Sequence, residues 1–181
     1  LPVLRMATDD HSHVATAEHR LRLVRGMENL IDDVEDQFPA PLQAHGARVA
    51  CIGGKWEVDT LAARMLAHTL ALDGIDASTR QHGPVTAEHL AGLDLDGVAV
   101  VCLSYFTPTP RLPARHFCRR LRRRWPGSRI VLCLWRAPPE LLDNDGGEAL
   151  GADAVVGSLS EAAVVVAKMA GNELIAAWTP A

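Results

Sequence analysis

Aromatic residues are scarce in this sequence: one tyrosine, three phenylalanines and four tryptophans among 181 residues. No aromatic residues are interleaved with exposed arginines, as a stacking platform for single-stranded nucleic acid requires. The formal net charge of -4 adds no basic excess, so nucleic acid is not an expected partner. Long apolar runs are lacking too. None approaches the roughly 20 residues that cross a bilayer as a helix, and no signal-peptide pattern is present. Cysteine is confined to Cys51, Cys102, Cys118 and Cys133, without a CxxC pair. Those spacings predict free buried thiols rather than a disulfide or a zinc site, in a reducing compartment. There is no internal repeat and no low-complexity stretch. The first residue is Leu1 rather than methionine, which suggests a piece of something longer or a processed product.

What is present is a core-forming composition, 48% apolar, with a regular alternation of patterns. Residues 11–38 read as a helix, because Val24, Met27, Ile31, Val34 and Phe38 recur at steps of three and four. Leu23 and Leu30 widen that stripe, and Pro39 and Pro41 end the helix. Short apolar runs at 49–52, 75–79, 98–103, 130–134 and 154–156 read as strands. Helical patterns at 61–72, 86–92, 111–125, 138–150 and 160–169 separate or follow them. Strands that are apolar throughout and alternate with helices imply a parallel sheet covered on both faces. With right-handed crossovers, five such units give a three-layer flavodoxin-like α/β domain of strand order 2-1-3-4-5. The expected organisation is an N-terminal amphipathic helix and linker over 1–40, the α/β domain over 41–170, and a tail over 171–181.

In this architecture ligands bind at the switch point, here between the first and third strands. Its loops are 53–60 and 104–110, with 134–139 as neighbour. Familiar signatures are missing from all three. Gly54-Lys55 is followed by Trp56, and Val49 stands at the first glycine position, so there is no phosphate-binding P-loop. A GxGxxG run is absent. The third strand ends Leu103-Ser104-Tyr105-Phe106-Thr107, without the aspartate of a phospho-receiver domain. Ser104 lacks a nucleophile elbow and reads as a backbone cap at the strand end rather than a nucleophile. His11 and His13, with Asp9 and Asp10, have ligand chemistry but read as a solvated terminus.

The first loop resembles the D-x-H-x-x-G signature of cobalamin-binding domains, whose histidine coordinates cobalt. It reads Glu57-Val58-Asp59-Thr60-Leu61-Ala62 here. Glu57 keeps the acid, Asp59 replaces the histidine and Ala62 the glycine. The family's later Ser-x-Leu corresponds to Ser104-Tyr105-Phe106, and its Gly-Gly is replaced by Trp135-Arg136. A carboxylate is a poor substitute for an imidazole cobalt ligand. The resemblance therefore implies a cobalamin-binding-like fold without the lower-ligand chemistry, with no cofactor and no metal site. Trp56 is expected to occupy the space a ligand would use.

A second resemblance extends from about residue 21 to residue 169. Arg48-Val-Ala-Cys-Ile, the run from Glu57 to Leu70, the run from Ala114 to Trp135, and Gly151-Ala-Asp-Ala-Val-Val are similar to the soluble C-terminal domain of autoinducer-2 exporter-like (PerM-type) permeases. That implies a non-enzymatic regulatory or structural domain on the cytoplasmic face of a membrane transporter. Its implied partners are its own transmembrane part and, through the N-terminal helix, a second copy.

Two groups of residues carry alternatives. Lys55, Trp56, Glu57, Asp59, Ser104, Tyr105, Trp135 and Arg136 surround the switch point. They are either a plugged pocket or a site in which Lys55 or Arg136 holds a small anionic ligand, such as a nucleotide, against an indole. A sensor that still binds cobalamin or another small anion is thus the alternative function; an enzyme lacks any converging acid–base pair. On the helix 111–125, Arg115, Arg119, Arg122 and Arg123 are either a solvated face or a contact for anionic lipid.

Overall fold

The computed structural model describes residues 17–41, 45–80, 90, 92–106, 111–137, 142, 147 and 149–171. The expected helices over 86–92 and 138–150, the loop residues 107–110, the tail from 172 and the His11/His13 cluster lie wholly or largely outside them.

The chain order is α1 (Ala17–Gln37), β1 (His45–Gly53), α2 (Glu57–Leu72), β2 (Ile75–Arg80), β3 (Val98–Tyr105), α3 (Arg111–Arg124), β4 (Arg129–Leu134), β5 (Ala154–Val156) and α4 (Leu159–Met169). The five strands form one sheet in the order β2-β1-β3-β4-β5, with every pairing parallel. This is the flavodoxin-like order expected from the alternation of patterns.

Two apolar layers follow from the two-residue period of the strands. Val49 and Cys51 of β1, Val100 and Cys102 of β3, and Val131 and Cys133 of β4 face α2 and α4. Ala50 and Ile52, Val101 and Leu103, and Ile130 and Leu132 face α3 and the segment around Leu93 and Leu95. All of these are buried, as a sheet covered on both sides requires. The edge strand β2 is more open, with only Ile75 fully buried. On α2, Leu61, Leu66 and Leu70 face the sheet, and Asp73-Gly74 closes the helix with Gly74 at φ 77°. On α3, Ala114, Phe117, Cys118 and Leu121 form the expected buried face.

All four cysteines are buried free thiols. Cys51 lies beside Cys102 in the ladder. A hydrogen bond to Cys102, together with burial, pushes the Cys51 thiol well up, and burial does the same to Cys133. Burial pushes Cys118 up to about 12.

Several boundaries differ from the sequence reading. β1 starts at His45, four residues early, with a register shift between His45 and Val49 and a φ of 86° at Gly46. α2 starts at Glu57 rather than Leu61. Its first turn is polar, and Asp59 at the third helical position accepts a hydrogen bond from the Trp56 amide at 3.0 Å. That is one half of a capping box.

α1 lies on α2. Ile31 is buried there, and Val24 and Met27 pack beside it. Arg64 of α2 clasps α1 by reaching Asp32 at 2.6 Å and Glu35 through Nε at 2.9 Å. The stripe is only partly covered, since Leu30, Val34 and Phe38 remain 49%, 39% and 53% exposed.

Candidate functional site

The strand ends at the switch point are tied together one residue beyond the sheet. Gly53 pairs with Ser104 across β1 and β3. The Gly54 amide donates to the Ser104 carbonyl at 2.9 Å, and the Trp135 amide donates to the Tyr105 carbonyl at 3.1 Å. The tips of β1, β3 and β4 therefore form a continuous rim.

Asp59 is the centre of this rim and is fully buried. Its Oδ2 accepts from the amides of Lys55 at 2.9 Å and Trp56 at 3.0 Å. Its Oδ1 accepts from the Phe106 amide at 2.8 Å. One carboxylate thus holds the loop after β1 to the loop after β3. Burial raises its pKa, while the three N–H donors and their partial positive charges pull it back.

The space in front of the glycines is taken. A Cβ on Gly54 would lie 2.5 Å from two ring carbons of Tyr105 and 2.8 Å from Asp59 Oδ2. A Cβ on Gly53 would lie 2.5 Å from the Thr60 amide nitrogen. These glycines admit an aromatic ring and the first turn of α2 against the backbone. Tyr105 and Phe106 are buried, and Trp135 is wholly so. Burial also raises the Tyr105 pKa.

The eight candidate residues therefore separate by depth. Asp59, Ser104, Tyr105 and Trp135 are interior. Lys55, Trp56 and Glu57 are on the surface, and Arg136 is half-buried. Two expectations are corrected. Trp56 does not fill the ligand space; it is 47% exposed, with Lys55 Nζ 4.8 Å from its ring centre. The ring that lies against Gly54 is Tyr105, the last residue of β3. Ser104 does not cap backbone through its side chain. Its Oγ is buried and has no hydrogen-bond partner among the described residues, and its carbonyl makes the link instead.

The arginine face of α3 is also divided. Arg115, Arg119 and Arg123 are exposed. Arg122 is half-buried, ion-paired to Asp153, and donates to the Ser128 carbonyl at 3.1 Å. Asp153 also accepts from the Ile130 amide at 2.6 Å. Arg122 thus fastens α3 to the start of β4.

An open groove of about 730 Å³ lies elsewhere, between α1, α2 and the edge strand β2. Glu28, Asp32 and Glu35 line it from α1, Arg64 and His68 from α2, and Thr79 from β2. The Nε2 of His68 is buried without a hydrogen-bond partner among the described residues. The sequence reading missed this groove. Its walls are far apart in the chain, and only the docking of α1 creates it. No group of three His, Cys, Asp or Glu side chains among the described residues could hold a metal. No helix among them is long and apolar enough to cross a membrane.

Comparison with known proteins places this architecture in one structural class. The chain has a cobalamin-binding-like, flavodoxin-like fold. It is similar to a novel cobalamin-binding protein from Desulfitobacterium hafniense DCB-2, with a TM-score of 0.53 and 9% sequence identity over 92% of this chain and 77% of that one. No protein-family model matches the sequence, and no curated protein matches it significantly.

Proposed function

We propose that this chain is a non-enzymatic domain, regulatory or structural, in which the ligand site of a cobalamin-binding-like fold has become an internal joint. The observation that carries this is Asp59. The resemblance sets it where a cobalt-ligating imidazole would be, yet its two oxygens already accept three backbone N–H groups. Turning it towards a ligand would strand three amides and expose a carboxylate to an apolar surround, each at a cost of about 1–3 kcal/mol. Tyr105 against Gly54 supports the same reading, since it closes the approach to the turn's backbone. The residues present do not fit cobalamin.

On the sequence resemblance to the soluble domain of PerM-type permeases, we further propose that the domain sits on the cytoplasmic face of a transporter, attached through α1. Any polypeptide that precedes Leu1 tests that part. Several apolar spans of about 20 residues are expected there, and a short polar start contradicts it.

A second reading, a small-molecule sensor, is favoured by one observation: the groove between α1, α2 and β2 has the volume of a ligand pocket. A thermal-shift screen with cobalamins, nucleotides and acyl compounds separates the two. A flat response supports the joint. A rise in melting temperature that a His68→Ala substitution removes supports sensing in the groove.

A further inference from the structure

We propose that the uncovered side of α1 is a self-association surface, on which a second copy of the chain packs its own α1 in the antiparallel direction. At about 100° per residue, the apolar arc of α1 is wider than its contact with α2. Val24 and Ile31 lie on the α2 side. Leu23, Met27, Leu30 and Val34 form a second seam at steps of four, three and four, the spacing of paired helices. Leu23 and Met27 are half-buried, and Leu30 and Val34 are 49% and 39% exposed. Met27 also packs against the core beside Ile31, so the open part of the seam is Leu30 and Val34. The groove residues Glu28, Asp32 and Glu35 lie outside this seam, so groove and seam do not compete.

Charge selects the occupant and its direction. Residues 17–27 carry three arginines and one glutamate. Residues 28–37 carry five acidic residues and no lysine or arginine. A parallel pair would set the two acidic halves side by side. An antiparallel pair sets each acidic half against a basic half and also opposes the helix dipoles. Leu23 then meets Val34 of the second copy, and Met27 meets Leu30, in a closed two-fold arrangement. The acidic half also makes an anionic lipid surface a poor occupant. Gly26 supports close contact. It sits mid-helix, where glycine costs about 1 kcal/mol relative to alanine, and a Cβ there would meet nothing within 4 Å among the described residues.

Sedimentation equilibrium of the 181-residue chain tests this. A dimer of twice 19.5 kDa is expected at concentrations up to about 100 μM, a Kd range open to a short helix pair. Leu30→Glu with Val34→Glu should weaken it about a hundredfold without changing the circular dichroism melt at concentrations where the parent is monomeric, because both side chains are exposed in the single chain. Arg22→Glu with Arg25→Glu should also weaken it, and adding Asp33→Arg with Asp36→Arg should restore it. A monomeric parent overturns the proposal, as does a dimer indifferent to the Leu30/Val34 pair. A dimer that ignores the arginine reversals overturns the antiparallel direction. Binding of the parent to vesicles or to a preceding membrane segment, without self-association, overturns it as well.

Discussion

At the scale of single residues, Asp59 decides what the switch point is. Asp59→Asn keeps the shape but puts an NH2 group where at least one backbone amide points. It should destabilise the fold by about 3 kcal/mol near neutral pH, the sum of a lost charged hydrogen bond and a stranded donor, measurable by urea denaturation. The pH dependence has a definite sign. The folded pKa of Asp59 lies above its ordinary value, chiefly through burial. The pH-dependent part of its contribution to stability is therefore fully present below the unfolded pKa and is lost as pH rises through the folded one, while the hydrogen bonds to its carboxylate remain. A protonated carboxyl can still accept through its remaining lone pairs, which an amide nitrogen cannot. The stability gap between parent and variant should shrink as pH rises from about 4 and then level off. A gap that widens over that interval contradicts the account. The position of Asp59 at a ligand-bearing turn was legible in the sequence. Its role was not, because one of its three donors, Phe106, lies 47 residues away. The Gly53-Gly54 pair was likewise visible, whereas the tyrosine that needs it became visible only with β3 beside β1.

At the scale of elements, the sheet order could be read in advance because each strand is an apolar run with turn residues around it. The polar first turn of α2 hid from an apolar-periodicity reading, although an acid at the third helical position is a start signal. The docking of α1 was not legible either, since its stripe fits α2 and a partner equally well and Arg64 settles the choice by pairing with Asp32 and Glu35. The Glu35 hydrogen bond is the main cause of the raised Arg64 pKa. These pairs are partly exposed, so each contributes about 1 kcal/mol at most. Arg64→Met should therefore loosen α1 locally, with faster amide exchange over α1 and little change in the exchange of β1 and β3. Unchanged protection of α1 would rule out the clasp. On α3, the division of the arginines narrows the lipid proposal to Arg115, Arg119 and Arg123. Replacing these three with Glu should abolish co-sedimentation with anionic vesicles, at about 1 kcal/mol per charge. Equal binding by parent and variant, or no binding by the parent, removes that proposal. Arg122 belongs in neither variant, because Asp153 and Ser128 hold it.

At the scale of the whole molecule, the proposed reading is of a ligand-binding architecture closed from inside. The sheet, the crossovers and the rim of strand ends match the class, while the rim is laced by Asp59, by the Ser104 and Tyr105 carbonyls, and by a tyrosine ring against Gly54. An open groove lies at the far edge, between α1 and β2. The most direct measurement is titration of the chain with hydroxocobalamin, followed by the absorption spectrum of the corrin and by equilibrium dialysis. The account predicts an unaltered spectrum and no retained cobalamin up to about millimolar concentration, the weak end of specific affinity. Retention at micromolar concentration with a shifted corrin spectrum would contradict it, since cobalamin could bind there only if Asp59 and Tyr105 gave up the positions that define the joint.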